Sequence, residues 1–251
     1  MTRAPTDTIA APLFPRGLPW VNVDGGRDAA PSVLQRGRPL LVEFWDFCRP
    51  NSLRTLPYVK EWHARYAAGG LRVVGVHCPG FEPSRDEAAV RGAVARLGIA
   101  HRVLIDTELV LWGEYENPGW PARYLFDGGA RLFDYHHGEG GYLEAELAIQ
   151  HLLGVERAPL APLRPEDAPG AELRAPTPDQ AGVYSGPYEA GGVWAVVDGA
   201  GTLTVNGADV AVDHPGAYEL IEHGRHTEGE VRIEAGAGVS CLAICFTPGV
   251  A

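Results

Sequence analysis

The stretch LLVEFWDFCRPNSLRTLP, residues 40–57, joins an apolar strand pattern to a helical one. Residues 40–47 form an apolar and aromatic run, of the length expected of a strand that is buried on both faces of a sheet. Residues 53–68 follow with Leu56, Val59, Trp62 and Tyr66 at helical spacing. A buried strand that leads into an amphipathic helix is the first half of a βαβ unit, so this stretch predicts an α/β domain.

The same alternation continues outward along the chain. We expect further strands at residues 71–77, 101–106, 122–126 and 131–136, and further helices at residues 87–97 and 142–153. Together these elements predict one α/β domain over residues 1–156, with a central sheet flanked by helices.

The composition changes after this domain. Six prolines at positions 159, 162, 165, 169, 176 and 178 predict a semi-extended linker over residues 157–182. Residues 183–251 contain short strand patterns broken by turns, among which Asn206–Gly207 is a strong two-residue hairpin signal. This region is predicted to be a small antiparallel β-sandwich.

Charge and composition narrow the classes of partner. The chain has 32 acidic and 21 basic residues, for a net charge of −11, which disfavours binding to nucleic acid or an anionic membrane. It has no apolar stretch of membrane-spanning length and no signal-peptide pattern at its start, so a cytoplasmic location is expected. Four cysteines do not make a disulfide scaffold, and the sequence indicates neither a cofactor nor an oligomeric state.

An ordered set of segments carries a family resemblance. The segments are residues 40–57, LRVVGVHCP at 71–79, residues 97–127 and HGEGGY at 137–142. This part of the chain resembles thioredoxin-like proteins of the TlpA/DsbE type, and is most similar to the soluble C-terminal region of actinobacterial DipZ cytochrome-biogenesis proteins. Those proteins also carry a β-domain, which resembles carbohydrate-binding modules, and residues 203–207, 215–220 and 241–249 look similar to it. The resemblance implies a thioredoxin-like mixed sheet, thiol–disulfide chemistry, and protein or peptide thiols or disulfides as substrates.

The sequence departs from this family at the point of chemistry. An ungapped alignment places Arg49 and Ser52 where the family has the two cysteines of its Cys-x-x-Cys motif. Cys48 lies one residue before the first of these positions. A thiol at a helix N-terminus beside an arginine is favoured as the thiolate, so Cys48 is a candidate nucleophile. The alternative is a vestigial loop cysteine that faces away from the site.

A second thiol is predicted close to the first. Cys78 ends the strand at 71–77, which the resemblance places beside the strand at 40–47. Adjacent strands are about 4.8 Å apart and a disulfide requires Cα atoms within roughly 7 Å, so a Cys48–Cys78 redox pair is geometrically allowed. The two cysteines are otherwise unrelated thiols, and both interpretations stay open.

The resemblance also implies a cis peptide bond at Trp120–Pro121, which would let an extended substrate pair with the backbone there. We expect a substrate to contact Trp45, Arg49, Ser52, His77, Trp120 and Pro121.

Glu43 is either a carboxylate beneath the thiols or a strand-end charge in solvent. His136 and His137 point to opposite faces of a strand, so no metal site is predicted.

Two functions remain open from the sequence. The first is a thiol–disulfide oxidoreductase-like protein with a degenerate site that uses Cys48, alone or with Cys78. The second is a redox-inactive thioredoxin-like module that binds a peptide or glycan partner.

In the β-domain, four aromatic residues either fill a small core or form a sugar-stacking platform, and the core interpretation is favoured. They are Tyr184, Tyr188, Trp194 and Tyr218. Cys241 and Cys245, four residues apart, are predicted on one face of a strand as small buried side chains.

Overall fold

The computed structural model describes residues 9–23 and 37–251, which divide into two compact units. Residues 1–8 and 24–36 of the predicted first domain lie outside the described residues. The first unit contains the described residues up to 46 together with 51–80 and 85–160. The second unit contains residues 47–50, 81–84 and 161–251. The division after residue 160 falls inside the segment predicted as a linker.

A six-stranded mixed sheet in the order β1-β4-β3-β2-β5-β6 forms the centre of the first unit. The central strands β2, β3 and β4 run parallel, and β1, β5 and β6 run antiparallel to their neighbours. The strands are β1 Trp20–Val21, β2 Leu40–Trp45, β3 Arg72–His77, β4 Arg102–Ile105, β5 Ala122–Phe126 and β6 Leu132–His137. The mixed sheet confirms the fold class expected from the sequence.

Four α-helices accompany this sheet in the described part of the chain: α1 Pro50–Tyr66, α2 Glu87–Arg96, α3 Val110–Glu114 and α4 Tyr142–Leu153. Helix α1 begins three residues before the predicted start, because Pro50 at its first position has a backbone angle that already suits a helix. Asp86 caps α2 by accepting a hydrogen bond from the Ala88 amide. None of the described helices is long and apolar enough to cross a bilayer.

Both faces of the sheet are covered, which explains the continuous apolar run in β2. All six residues of β2 are buried. Leu41 and Val73 pack on one face with residues of α1 and α4, and Val42 and Val76 pack on the other face with Leu111 of α3. A strand buried on both sides has no polar face, so its sequence does not alternate.

The strands of the second unit pair in the antiparallel sense, as expected, and the sandwich arrangement stays a prediction. The main sheet of this unit has the strand order β11-β10-β12-β9-β13-β8, and β14 pairs separately with β7. The strands are β7 Leu173–Arg174, β8 Gln180–Ala181, β9 Ser185–Gly199, β10 Gly201–Val205, β11 Ala208–Val212, β12 Gly216–Ala235, β13 Val239–Thr247 and β14 Gly249–Val250. Strands β7 and β8 lie within the segment predicted as a linker, so part of that segment contributes to the sheets of this unit.

Local geometry in this unit confirms one prediction and corrects another. Asn206 and Gly207 connect β10 to β11 with φ values of 50° and 84°, as a two-residue hairpin turn requires. Cys241 and Cys245 do not share a face, because the register of β13 shifts between Cys241 and Ala243. Cys241 packs against the core cluster of the unit, whereas Cys245 lies across from Trp194.

Candidate functional site

The candidate site lies at the carboxyl ends of the neighbouring strands β2 and β3. Trp45 is paired with His77 in the parallel ladder, and the amide of Cys78 donates a hydrogen bond to the Trp45 carbonyl (3.0 Å). The indole Nε1 of Trp120 donates to the Cys78 carbonyl (2.9 Å), and the Trp120–Pro121 peptide is cis, as the resemblance implied. The fold therefore brings together five of the residues that the sequence singled out.

Asp46, the residue after β2, makes polar contacts with three segments around these strand ends. Its carboxylate accepts a hydrogen bond from the Gly80 amide (2.7 Å), and its other oxygen lies 3.5 Å from Nε2 of His77. The Asp46 amide donates to Oγ of Ser52 (3.2 Å), which ties the first turn of α1 to the end of β2.

Three of the predicted substrate contacts lie beneath the surface. Trp45, Ser52 and His77 are all fully buried. A substrate could touch these side chains only if the site opened and exposed them. Their predicted contact with a substrate is therefore not possible in the conformation described here. In the structure Trp45 and His77 are the last residues of β2 and β3, and Ser52 is bonded to the Asp46 amide.

Cys78 is held as a neutral thiol. Its side chain is fully buried, and its Sγ donates to Oδ2 of Asp106 at 3.6 Å. Burial, followed by the charge of Asp106, raises the pKa of the Cys78 thiol well above its usual value. Asp106 also accepts from the amides of Val110 and Trp112, so it fixes the start of α3 as well as the thiol.

Asp106 was not among the residues selected from the sequence, although a signal was present. It ends the predicted strand at 101–106, which is the next strand after the one that ends at Cys78. Side chains at the carboxyl ends of adjacent parallel strands meet at one edge of a sheet. The same rule that selected Cys78 therefore also points to Asp106.

Cys48 lies in the turn between β2 and α1, two residues before Pro50 begins the helix. It is buried and forms no disulfide. Within the second unit, to which residues 47–50 belong, the Phe47 carbonyl accepts a hydrogen bond from the Ala217 amide (3.3 Å). In that unit the Arg49 guanidinium lies 4.7 Å above the centre of the Phe81 ring. The predicted pairing of Cys48 with Cys78 stays a prediction, since both thiols are unbridged.

Glu43 and Arg123 form a buried cross-strand pair on β2 and β5. Burial raises the pKa of the Glu43 carboxyl to about 8, against the opposing charge of Arg123. Neither oxygen of Glu43 has a hydrogen-bond partner in the part of the chain that the structure describes. Glu43 is therefore not a strand-end charge in solvent, and it holds its proton at neutral pH. The Arg123 guanidinium lies 4.9 Å above the Tyr142 ring, within cation–π distance.

The HGEGGY segment braces the loop that contains the cis proline. The Gly138 amide donates to the Pro121 carbonyl (2.7 Å), and Arg54 on α1 forms an ion pair with Glu139 (2.8 Å). Gly138, Gly140 and Gly141 all have positive φ, which glycine adopts without a steric cost. No group of three His, Cys, Asp or Glu side chains within residues 9–23 and 37–251 is arranged to hold a metal ion.

The aromatic residues of the β-domain fit the core interpretation better than a sugar platform. Tyr188 and Trp194 are buried, and Tyr184 and Tyr218 are partly buried against the core cluster of the second unit. Tyr188 also stacks on Phe246 with ring centres 5.6 Å apart. Rings packed in this way do not present their faces to a carbohydrate.

The mixed sheet, with its strand order β1-β4-β3-β2-β5-β6 and the cis proline before β5, defines a thioredoxin-like fold. The chain is homologous, over part of its length, to DipZ of Mycobacterium tuberculosis and to the thiol-disulfide oxidoreductase YkuV of Bacillus subtilis. Identity to DipZ is 33% over 134 residues, which cover 53% of this chain and 19% of DipZ. Identity to YkuV is 28% over 134 residues, which cover 53% of this chain and 87% of YkuV.

A solved structure supports the same class. A thioredoxin-like protein studied in its oxidised form matches with a TM-score of 0.50 and 26% identity, over 59% of this chain and 97% of that protein. No protein-family model matches the chain. The chain spans about a fifth of the length of DipZ, so the similarity concerns one region of that larger protein.

Proposed function

We propose that this protein is a thiol–disulfide oxidoreductase-like protein that acts through a single thiol, Cys48. The observation that carries the proposal is the position of Cys48 in the turn between β2 and α1 of a thioredoxin-like domain. The homologue YkuV, a thiol-disulfide oxidoreductase, supports the same chemistry. The substrate class is a protein or peptide disulfide.

A single thiol imposes a definite sequence of steps. The Cys48 thiolate attacks one sulfur of the substrate disulfide, so that a mixed disulfide forms and the second substrate sulfur leaves as a thiolate. A low-molecular-weight thiol then attacks Sγ of Cys48 and releases the first substrate sulfur. A second molecule of that thiol regenerates Cys48 and leaves as a symmetrical disulfide. Overall, the substrate disulfide gains two electrons and two protons from two small thiols.

The environment of Cys78 is the reason for assigning the second step to an external thiol. The attacking species in disulfide exchange is the thiolate. The pKa of Cys78 is raised by burial and by Asp106, so this thiol remains protonated at neutral pH. A Cys48–Cys78 intermediate is the alternative, and replacement of Cys78 distinguishes the two routes.

Because Cys48 is buried, a substrate disulfide must first gain access to its Sγ. The side chain has no exposed surface, and the adjacent Phe47 carbonyl is bonded to Ala217 within the second unit. A substrate sulfur reaches Sγ only when the turn at residues 47–50 opens. We therefore expect reaction rates below those of exposed thioredoxin-type thiols.

Formation of a mixed disulfide tests the proposal. The reduced full-length protein is incubated with glutathione disulfide at neutral pH, and adducts are located by mass spectrometry and peptide mapping. One glutathione should attach at Cys48, and Cys48→Ser should abolish it. Cys78→Ser and the matched control Cys241→Ser should leave it unchanged. Adduct formation elsewhere, or an unchanged yield in Cys48→Ser, would contradict the proposal.

Turnover provides a second measurement. Because Arg49 and Ser52 occupy the usual cysteine positions, insulin reduction with dithiothreitol should be at least ~100-fold slower than with a Cys-x-x-Cys thioredoxin. Comparable turnover would show that the local dithiol is dispensable. Absence of any adduct at Cys48, together with peptide binding, would instead favour the redox-inactive binding module.

A further inference from the structure

A separate cleft lies in the first unit, on the face of the sheet opposite α1 and α4. It encloses about 500 Å³ between the segment at residues 9–12, the end of α3, and strands β5 and β6. Clefts of roughly 300–1,000 Å³ are typical of small-molecule sites. The thiol chemistry proposed above does not use this cleft.

Aromatic rings form much of its wall. Tyr115, Tyr124, Phe126 and Tyr135 all line the cleft. The ring centres of Tyr115 lie 5.0 Å from Tyr124 and 6.1 Å from Phe126, so these rings form one continuous cluster. Tyr135 is 49% exposed, which is unusual for a large ring that borders a concave surface.

The charged side chains that line the cleft are all negative. Glu114 and Glu116 line the cleft and are exposed, and no lysine or arginine among the described residues lines it. His137, also in the lining, is bonded to the Tyr124 hydroxyl (3.2 Å), and burial lowers its pKa, which favours the neutral ring. The cleft therefore combines two carboxylates with aromatic rings and has no compensating positive side chain in its lining.

One polar group in the wall has unused hydrogen-bonding capacity. The hydroxyl of Tyr115 is buried and has no hydrogen-bond partner within the described residues. A buried hydroxyl without a partner is uncommon in folded proteins, because it loses its bonds to water.

We propose that this cleft binds a small organic cation of the substituted-ammonium class. The negative faces of aromatic rings attract a cation, and they do so best for ammonium groups that carry alkyl substituents and are weakly hydrated. Glu114 and Glu116 add long-range attraction for the same charge. The carboxylates disfavour an anion, and the ring faces and carboxylates together favour a cation over a neutral molecule of the same size.

Calorimetric titration of the full-length protein tests this assignment with three probes of similar size. Benzyltrimethylammonium is the cation, benzyl alcohol the neutral analogue and phenylacetate the anion. The cation should bind saturably and at least about fivefold more tightly than either analogue. Equal affinity for phenylacetate, or no saturable binding of the cation, would overturn the proposal.

Variants locate the binding. The double change Glu114→Gln and Glu116→Gln should weaken cation binding by about fivefold, and Tyr135→Leu should weaken it by a similar factor. Tyr135→Phe keeps the ring and should bind as the unmodified protein does. Glu108→Gln, at an exposed carboxylate outside the cleft, is the matched control and should have no effect. If the double variant and the control bind equally well, the cleft is not the site.

Discussion

Glu43 illustrates how strongly position changes the chemistry of a single carboxyl group. It has no exposed surface and faces Arg123 across the strand pair β2–β5. The loss of hydration outweighs the attraction of the guanidinium, and the pKa rises to about 8. A neutral carboxylic acid thus lies in β2, two residues before the strand ends at Trp45.

This shift makes the stability of the first unit depend on pH. Between the ordinary pKa of 4.5 and the folded value of about 8, the folded state retains a proton that the unfolded state has released. The free energy of unfolding therefore falls as pH rises through this window, by up to about 1.4 kcal/mol per pH unit. Glu43→Gln removes the titrating group and should flatten this dependence, as measured by urea unfolding between pH 5 and pH 8.

The control is Glu61→Gln, at an exposed glutamate on α1. It should retain the pH dependence of the unmodified protein. If Glu43→Gln loses stability with pH as steeply as this control, Glu43 does not titrate within the window.

At the scale of elements, Glu146 joins α4 to α1. Its carboxylate accepts from the Tyr66 hydroxyl (2.5 Å), pairs with Arg65 (2.8 Å) and accepts from the Leu160 amide (2.8 Å). The side chain is 1% exposed, so these bonds replace its water almost completely. Helix packing on this face of the sheet therefore depends on one charged residue as well as on apolar contacts.

Glu146→Ala leaves the buried Tyr66 hydroxyl and the Leu160 amide without this acceptor. We expect a loss of about 3 kcal/mol in the free energy of unfolding, measured by chemical denaturation. Glu144→Ala changes an exposed glutamate on the same helix and should cost less than about 0.5 kcal/mol. Similar losses in the two variants would show that the buried network contributes little.

The helices also differ in how well the sequence predicts them. The periodicity of residues 142–153 predicted α4 with the observed bounds, because a long amphipathic segment carries its own signal. Helix α3, of five residues, was not predicted, since it is too short to show a period. It is fixed instead by Asp106, whose carboxylate accepts two amides of its first turn.

At the scale of the whole molecule, the chain passes from the first unit to the second for the last time after residue 160, and most of residues 161–172, which follow, are exposed. The preceding residues are anchored to the first unit, since the Val155 amide bonds to the Gln150 carbonyl and the Arg157 amide to its side chain. The following residues, Leu173 and Arg174, pair with β14. Between these anchors, residues 161–163 and 169–170 are exposed.

Brief digestion with subtilisin should therefore cut first within residues 161–172. Two fragments should appear on a denaturing gel, with their ends identified by mass spectrometry. Digestion in denaturant, where all sites are open, provides the comparison. A first cut between residues 40 and 158 under native conditions would contradict this account of the boundary.

The sequence alone determined the class of fold, the two-part organisation of its secondary structure and the hairpin at Asn206–Gly207. These features follow from local patterns: apolar runs, helical periods and turn residues that tolerate positive φ. The family resemblance placed Arg49 and Ser52 at the two cysteine positions of the family's motif, with Cys48 one residue before the first.

The tertiary structure decided the state of each group in that site. Burial and Asp106 keep Cys78 protonated, and burial beside Arg123 keeps Glu43 neutral. A register shift in β13 separates Cys241 from Cys245. Charge states and side-chain directions depend on which residues meet across strands far apart in the chain, and desolvation acts only once those contacts exist. No local pattern encodes them, and so the sequence could name the thiols but not their reactivity.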